Sequence, residues 1–516
     1  MISTSIQGII IGLEKHKEND IYGEDKGPII DVNRITGQVS TFYEKIRYTV
    51  DYKEQHTIRR SAVERILKRK VLMERVPNAG LSLLEELVAS GYLLNKSIPE
   101  GIADDINKIV SKYLDFASLT GVQLNRILSL MATEIERFLY PQVLNDLIIE
   151  SFYDNVFKNI KYQGTLSEQE LSHQMFLSCR RSLLEEDYDT TFYALLIRSI
   201  PELTALQTKE EIKAFASKFS QAVYKVELQL EDPLGWSMTA RLKNYSVYFS
   251  VIKEIFKKHG VESEAFFRDQ DHLKREIESL LSREYTSQFE LIDKSGKRAV
   301  VYILLTKVIL AFAVELPFEK FVLNEINYLA LTTNVIFHPL LLLGMVKSVP
   351  PIYSNNTSNV VLGVTEIIEG KNTRPIYIKP RTDSNFLKTA FDYVYIVLFV
   401  ISFGLIMWIL NALHFNIVSI LLFLFFLTLV SYFGFRIHHN AKKWRLEVEN
   451  DNFFSLLWSF FTIPIVRTGR WLSKRFSTVN IFVFLMDFII ETPFKLILGT
   501  FNSFILFIKD KREDPY

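Results

Sequence analysis

The feature that most constrains this chain is a run of 43 residues, Tyr393 to Phe435, that contains no Asp, Glu, Lys or Arg. A membrane-spanning helix needs about 20 apolar residues, because each residue rises about 1.5 Å through a hydrocarbon core about 30 Å thick. A single helix of 43 residues would extend roughly 65 Å, far beyond one bilayer. The polar sequence NALHFN at 411–416 interrupts the run. We therefore predict two spanning helices, at 393–412 and 417–435, joined in a hairpin.

Basic residues flank both ends of this hairpin, and basic residues are retained on the cytoplasmic side of a membrane. The flanking residues are Lys371, Arg374, Lys379, Arg381 and Lys388 upstream, and Arg436, Lys442, Lys443 and Arg445 downstream. Both termini and the bulk of the chain are therefore predicted to be cytoplasmic. Trp444 is predicted to anchor the cytoplasmic interface and Trp408 the opposite one, because aromatic rings concentrate at both interfaces.

The chain after Trp444 has the pattern of a segment that lies on a membrane. The apolar stretch at 452–466 is too short to span and is interrupted by Pro464. Three basic residues then share one helical face, and an aromatic residue is assigned to another. They are Arg467, Arg470 and Lys474, and the aromatic residue is Trp471. Such a helix suits anionic lipid headgroups, so residues 446–516 are predicted to form interfacial amphipathic helices.

A second group of charges lies in the last apolar segment, 479–508. Asp487 and Glu491 are one helical turn apart, and Lys495 continues the same stripe. Ionisable groups at membrane depth are functional candidates, so one interpretation is a proton or ion relay in a transporter. The interpretation that the pattern favours is a narrow polar face with ion pairing between neighbouring turns. We expect two interfacial or re-entrant helices here rather than a third spanning helix.

Two further apolar segments, 299–314 and 328–346, allow two interpretations. Lys307 lies near the centre of the first, and Asn334, His338 and Pro339 interrupt the second. A lysine at the centre of a bilayer costs about 2.5–3.5 kcal/mol on insertion scales, which favours two buried core helices of a cytoplasmic domain. The alternative is a second hairpin, because basic residues flank the pair and acidic residues lie between the two segments.

The first 380 residues predict a helical cytoplasmic domain, and the chain as a whole is predicted to be all-α. Capping boxes at Ser167/Glu170 and Thr208/Glu211 precede runs with helical periodicity, and Gly260 is placed to end a helix. We place a seam near residue 163 and a linker at 348–361. The predicted domains are thus 1–380, the hairpin with its basic flanks at 381–445, and the membrane-surface part at 446–516.

The sequence contains no pattern typical of a catalytic or cofactor site. Walker, GxGxxG, GxSxG and CxxC motifs are missing, and the one cysteine, Cys179, excludes an internal disulfide. The N-terminus lacks the basic region of a signal peptide. Lys plus Arg number 60 and Asp plus Glu 59, so the charge balance does not predict a nucleic-acid partner. No cofactor and no metal site are expected.

These patterns favour a membrane-anchored helical scaffold or adaptor. Its partners would be a bilayer with anionic headgroups and other proteins that bind the cytoplasmic helices. One alternative is a multi-pass transporter or channel component, which requires 299–314 and 328–346 to span as well. A second alternative is a membrane-bound lipid-processing enzyme whose carboxylates are brought together only by the fold.

Overall fold

Helices make up most of this computed structural model, which confirms the predicted all-α class. The structure describes residues 2–17, 27–32, 55–73, 79–184, 186–348, 354–371, 375–378, 385–441, 444–446 and 453–478. The described residues up to Gln270, with those at 363–378, form one compact unit, the first unit. Those from Asp271 to Leu362, with those from 385 onward, form the second unit. The three-part division drawn from the sequence, with its seam near 163, stays a prediction.

The first unit is built from short and medium helices. They are α1 (Thr4–Lys17), α2 (Gln55–Leu67, continued by a π-helical stretch, Lys68–Met73), α3 (Ala79–Ala89), α4 (Ile102–Leu119), α5 (Leu124–Leu139), α6 (Val143–Phe157), α7 (Glu168–Leu183), α8 (Tyr188–Ser199), α9 (Lys209–Glu231), α10 (Pro233–Arg241), α11 (Lys243–His259) and α12 (Ser263–Arg268). Short 3₁₀ turns lie at Pro201–Thr204 and Gly260–Glu262. Two short parallel strands, β1 (Ile160–Tyr162) and β2 (Ile376–Ile378), pair with Ile160 opposite Ile376. No sequence pattern predicted this pairing.

Local chemistry sets several of these helix ends where the sequence predicts them. The capping boxes at Ser167 and Thr208 are both formed, with each side chain accepting from the backbone N–H three residues on. Asp187 caps α8 by accepting from the Thr190 N–H. Gly260 ends α11 with φ of 56°, a conformation that favours glycine. The signals predicted at Ser167, Thr208 and Gly260 are therefore confirmed.

The core of the first unit is apolar and aromatic, with a few buried ion pairs. Phe116 of α4 stacks on Phe219 of α9 with ring centroids 4.1 Å apart, and Phe152 of α6 stacks on Phe249 of α11 at 4.5 Å. Offset stacks of this kind add about 0.5–1.5 kcal/mol beyond the burial of area. The core therefore fixes the relative positions of α4, α6, α9 and α11.

The second unit is built from long apolar helices. They are α13 (Gln270–Leu310), which continues through a π turn (Ala311–Glu315), α14 (Leu316–Phe318) and a second π turn (Glu319–Leu323), then α15 (Tyr328–Lys347), α17 (Asn385–Ala412), α18 (Ile417–Ala441) and α19 (Phe453–Thr478). Helix α16 (Ser354–Ile368) runs from the second unit into the first. The turn predicted at NALHFN is present, since α17 ends at Ala412 and α18 begins at Ile417.

Among the described residues, four helices are long and apolar enough to cross a membrane. Judged by length and composition, they are Gln270–Leu323, Tyr328–Lys347, Asp392–Ala412 and Ile417–His438. The two segments that the sequence left open, 299–314 and 328–346, belong to this set. Much of their apolar surface points outward: Tyr302 is 76% exposed and Phe312 is 68% exposed. Surfaces of this kind are rare in water and mark contact with lipid or a partner.

Two predictions about helix boundaries are wrong. The linker predicted at 348–361 is helical from Ser354, because the buried side chains of Val360 and Val364 anchor α16 and packing outweighs the weak propensity of Asn and Ser. The break predicted at Pro464 does not occur, since α19 passes through this residue. Pro464 is buried in the second unit, where packing against neighbouring helices offsets the lost backbone hydrogen bond.

Helix α19 packs against both α17 and α18. Gly469 permits the close approach to α18, because a methyl group at this position would collide with the Thr428 carbonyl and the Tyr432 side chain. On the other side, the guanidinium of Arg467 lies 4.8 Å from the ring centroid of Tyr395 in α17. The described part of the predicted surface segment is therefore an integral element of the second unit's packing.

Candidate functional site

A set of polar side chains is buried inside the second unit, between helices whose outer surfaces are apolar. We call this set the polar network. Its members are Lys307, Glu315, Glu319, Asn334, His338, Asn416 and Ser419. All except Asn416, which is half-buried, are at most 1% exposed. Buried polar and charged groups are costly unless paired, so the partners of each group decide whether the site is stable.

Asn334 lies at the centre of the polar network and joins its two kinds of charge. The Asn334 Oδ1 accepts a hydrogen bond from Lys307 Nζ at 2.6 Å. The Asn334 Nδ2 donates to both carboxylate oxygens of Glu315, at 2.8 and 2.9 Å. An amide side chain has an acceptor end and a donor end, so it satisfies an ammonium and a carboxylate at the same time. Lys307 and Glu315 are thus linked through Asn334.

Contacts with α18 complete the surroundings of these charges. Ser419 Oγ donates to Glu315 Oε2 at 3.2 Å. The Lys307 Nζ lies 4.2 Å from the ring centroid of Phe426, a cation–π contact in a site without water-exposed surface. Residues from α13, α15 and α18 therefore share one continuous set of hydrogen bonds.

Glu319 lies one turn after Glu315 and is held by neutral donors. Its Oε1 accepts from Asn416 Nδ2 at 2.7 Å, and its Oε2 accepts from the backbone N–H of Asn327 at 3.0 Å. The Asn327 side chain donates to the His414 carbonyl at 3.0 Å. The connections at 324–327 and 413–416 consequently lie side by side at one end of the second unit.

The imidazole of His338 contacts two carbonyl oxygens. Its Nδ1 lies 3.1 Å from the Asn334 carbonyl of its own helix, and its Nε2 lies 3.0 Å from the Phe423 carbonyl of α18. A neutral imidazole has one N–H donor, whereas an imidazolium has two. Both contacts are hydrogen bonds only when the ring carries two protons. The neutral Nε2–H tautomer donates to the Phe423 carbonyl, so a single ring proton is enough to join α15 to α18 at this point.

The π turn at Ala311–Glu315 places Lys307 and Glu315 on the same side of their helix. They are eight positions apart in the sequence. One α-helical turn of about 3.6 residues and one π turn, about one residue longer, together cover this spacing in two turns. A regular α-helix would rotate Glu315 away from Asn334. The irregular stretch is thus a requirement of the polar network, and π turns often occur at functional sites.

The sequence indicated some residues of the polar network but did not predict that they contact one another. Lys307, Asn334 and His338 stand out as polar interruptions of apolar segments, and the spacing of Asn334 and His338 places them on one helix face. Glu315, Glu319, Asn416 and Ser419 carried no such signal, because they lie at segment ends. The sequence signal that remained unused is the presence of Lys307, Glu315 and Glu319 within the otherwise largely apolar stretch 299–323.

The structure places the residues predicted at the membrane interface in different surroundings. Trp408 and Trp471 are exposed, as are the side chains of Arg436, Arg467 and Arg470. Trp444 is only 5% exposed, and its carbonyl accepts from Asn356 Nδ2, so its ring is inside the protein.

The other predicted site residues are less fully described. Lys474 belongs to α19. Lys442, Lys443, Asp487, Glu491 and Lys495 lie outside the described residues. An interface role for this set stays a prediction.

Comparisons with known proteins give no further identification. No protein-family model, no curated protein and no solved structure matches the chain.

Proposed function

We propose that this chain is a multi-pass membrane protein that acts as a transporter or channel component, and that the polar network is its proton-conducting or proton-coupling site. The observation that carries the proposal is the buried link between Lys307, Asn334 and Glu315. Ionisable residues within membrane segments are costly, face the bundle interior and mark ion paths or proton relays. For this function, the segments 299–314 and 328–346 must span the membrane together with the hairpin at 393–435.

The outward apolar surface of α13 and α15 supports spanning over burial in a soluble core. Tyr302, Ile309 and Leu329 are each more than 60% exposed, at 76%, 64% and 64%. The insertion penalty of Lys307 argued against spanning, but this penalty applies to an unpaired ammonium. The hydrogen bond from Lys307 to Asn334 and the cation–π contact with the Phe426 ring offset part of this penalty.

The proposed topology has four spans and two hairpins. The connections at 324–327 and 413–416 lie together, which is consistent with both hairpin tips on one side of the membrane. Basic residues lie at the other ends of the apolar stretches, including Lys297, Lys347 and Arg436. The positive-inside rule then places the tips outside and the first unit in the cytoplasm.

A topology measurement tests the spans directly. Single cysteines at Glu325 and Leu413, both exposed in the structure, are expected to react in intact cells with a membrane-impermeant maleimide, and a cysteine at Lys347 is not. Asn324 is a poorer site because its φ of 55° is left-handed, a conformation that tolerates Asn better than Cys. Labelling at Leu413 without labelling at Glu325 would restrict the protein to a single hairpin and contradict the proposal.

Native Cys179 should not interfere with this measurement. It is completely buried in the first unit. Burial, followed by the nearby charge of Glu150, raises the pKa of this thiol well above its usual range, so the reactive thiolate is scarce. The unmodified chain is the background control and is expected to remain unlabelled until it is unfolded.

A flux measurement tests the function. In proteoliposomes with an internal pH-sensitive dye and a potassium diffusion potential, the protein is expected to carry protons. Glu315→Gln and His338→Gln are expected to lower the rate by about tenfold or more, because each removes a group that binds a proton in the path. Glu325→Gln is the matched control, since Glu325 is an exposed carboxylate in the connection at 324–327. Equal rates in all four proteins and in empty liposomes would refute proton conduction.

The membrane-anchored scaffold is the second candidate, and the first unit supports it. Trp236 is 60% exposed on α10, and Tyr224 and Leu228 are exposed on α9. Large exposed side chains of this kind are enriched at protein interfaces. A correctly inserted protein with no flux, whose first unit recruits a partner to the membrane, would favour this function. The lipid-processing enzyme stays a third proposal, for which the buried carboxylates Glu315 and Glu319, one helical turn apart, are the candidate residues.

A further inference from the structure

A cleft of about 490 Å³ lies in the first unit between α2, α5, α8 and α9. Sites for small molecules usually have volumes of about 300–1,000 Å³. We call it the acidic cleft. Its lining includes Glu64, Arg126, Ser129, Asp189, Tyr224 and Glu227. The cleft does not involve the polar network, and its proposed role is independent of the proposed transport function.

One guanidinium beside the cleft is shared among three carboxylates. Arg60, which is 6% exposed, contacts Glu64 at 2.8 Å, Asp187 at 2.7 Å and Asp189 at 3.1 Å. The pKa of Glu64 is raised, first by burial, and Arg60 offsets this effect only in part. A raised carboxyl pKa means that the charged form lacks compensation. An additional cation near Glu64 would therefore be stabilised.

The second guanidinium is fixed in place and leaves another carboxylate weakly paired. Arg126 binds Asp189 at 2.9 Å and lies 4.4 Å from the Phe192 ring centroid. Its contact with Glu227 is longer, at 3.4 Å, whereas charge-assisted bonds are usually about 2.7–2.9 Å. The Glu227 side chain is 47% exposed and open to a ligand.

The charged groups at the acidic cleft favour a positively charged ligand. The four carboxylates just described face Arg60 and Arg126, and Lys68 adds a positive charge that also acts on Glu64. The carboxylates therefore exceed the cations. An anionic ligand would be repelled, whereas an ammonium or guanidinium group would restore the balance.

Ser129 supplies an independent observation. It is 5% exposed, and its buried Oγ has no hydrogen-bond partner among the described residues. A buried hydroxyl without a partner is unfavourable, and most buried polar groups in native structures have at least one hydrogen-bond partner. Because Ser129 lines the cleft, an N–H donor of a bound ligand is a suitable partner for this oxygen.

We propose that the acidic cleft binds a small organic cation with more than one amine group, the chemical class of the polyamines. One ammonium would lie between Glu64 and Glu227 and another would donate to Ser129. The ring of Tyr224, which is 64% exposed at the cleft, offers a cation–π contact for the alkyl-ammonium chain. The cleft would thereby make the first unit responsive to a soluble cation.

Titration calorimetry of the full-length protein with spermidine tests this proposal. We expect saturable binding of one ligand per chain at physiological ionic strength. Glu227→Gln is expected to weaken it by about tenfold, the usual effect of losing one charge-assisted hydrogen bond. The matched control is Glu231→Gln, an exposed carboxylate four residues further along α9, which is expected to bind as the wild type does.

Ser129→Ala gives a second readout that does not depend on charge. The ligand-free variant is expected to be at least as stable as the wild type, because an unpaired hydroxyl is removed, and to bind spermidine more weakly. Absence of saturable binding to the wild type would overturn the proposal. Equal weakening by Glu227→Gln and Glu231→Gln would overturn it too, since it would indicate general attraction to a negative surface.

Discussion

Asn334→Leu is expected to destabilise the second unit by about 3–5 kcal/mol, the usual cost of leaving a buried charge without its partner. The substitution removes the bonds to Lys307 Nζ and to both Glu315 oxygens. Hydrogen bonds between neutral groups in membrane proteins average only about 0.6 kcal/mol. The larger value applies here because an ammonium and a carboxylate both lose their partner. The measurement is the midpoint of SDS-induced unfolding of the protein in detergent.

Ser402→Ala is the control for this prediction, because Ser402 is buried in α17 and its Oγ has no partner among the described residues. We expect a change below about 1 kcal/mol, within the range of ordinary substitutions. In the Asn334→Leu variant, adding Lys307→Met and Glu315→Leu is expected to recover part of the lost stability. An apolar pair at these positions avoids the desolvation of two charges. An effect of Asn334→Leu as small as that of Ser402→Ala would show that Asn334 is not the link between the two charges.

Lys112→Met is expected to destabilise the first unit by about 3–5 kcal/mol, because this substitution also leaves a buried charge without its partner. Lys112 Nζ donates to Glu134 Oε1 at 2.5 Å and to the Leu203 carbonyl at 3.2 Å. Tyr113 donates to the other Glu134 oxygen at 2.8 Å, and burial holds the pKa of this phenol well above its usual range, so it remains a donor. Without Lys112, the carboxylate of Glu134 is buried with no cation in contact among the described residues.

The helix that carries Lys112 also supplies the matched control. Lys108 lies one turn earlier on α4 and pairs with Asp105 at 3.0 Å, but its side chain is 67% exposed. Exposed pairs contribute about 0–1 kcal/mol, so Lys108→Met should change stability little. Pulsed labelling of Cys179 against urea concentration reports unfolding of the first unit specifically, because this thiol is buried there. Equal losses of stability in Lys112→Met and Lys108→Met would contradict the prediction that the buried ion pair contributes more than the exposed one.

Sequence patterns located the elements whose causes are local. The turn at NALHFN lies between two apolar runs, and α17 and α18 end and begin at its edges. The caps at Ser167, Thr208 and Gly260 act within a few residues of their own backbone. Such features are predictable because hydrogen bonding and helix length depend on neighbours in the sequence.

Sequence patterns misjudged the elements that depend on distant partners. The partners of Lys307 were not predicted, because Asn334 and Phe426 are remote from it in the chain. The helix through Pro464 persists because α19 packs against both α17 and α18, and no local pattern contains these contacts. The pairing of Ile160 with Ile376 is likewise a contact of high sequence separation.

The sequence by itself determined that the chain is helical, that its C-terminal part is suited to a membrane, and where several helices begin and end. These properties follow from apolar run length, capping residues and basic flanks, all of which act locally. Only the tertiary structure decided which charges are partners. A buried ammonium and a buried carboxylate are stable only when a third group, here Asn334, lies within hydrogen-bond distance of both. That distance is set by the packing of α13, α15 and α18.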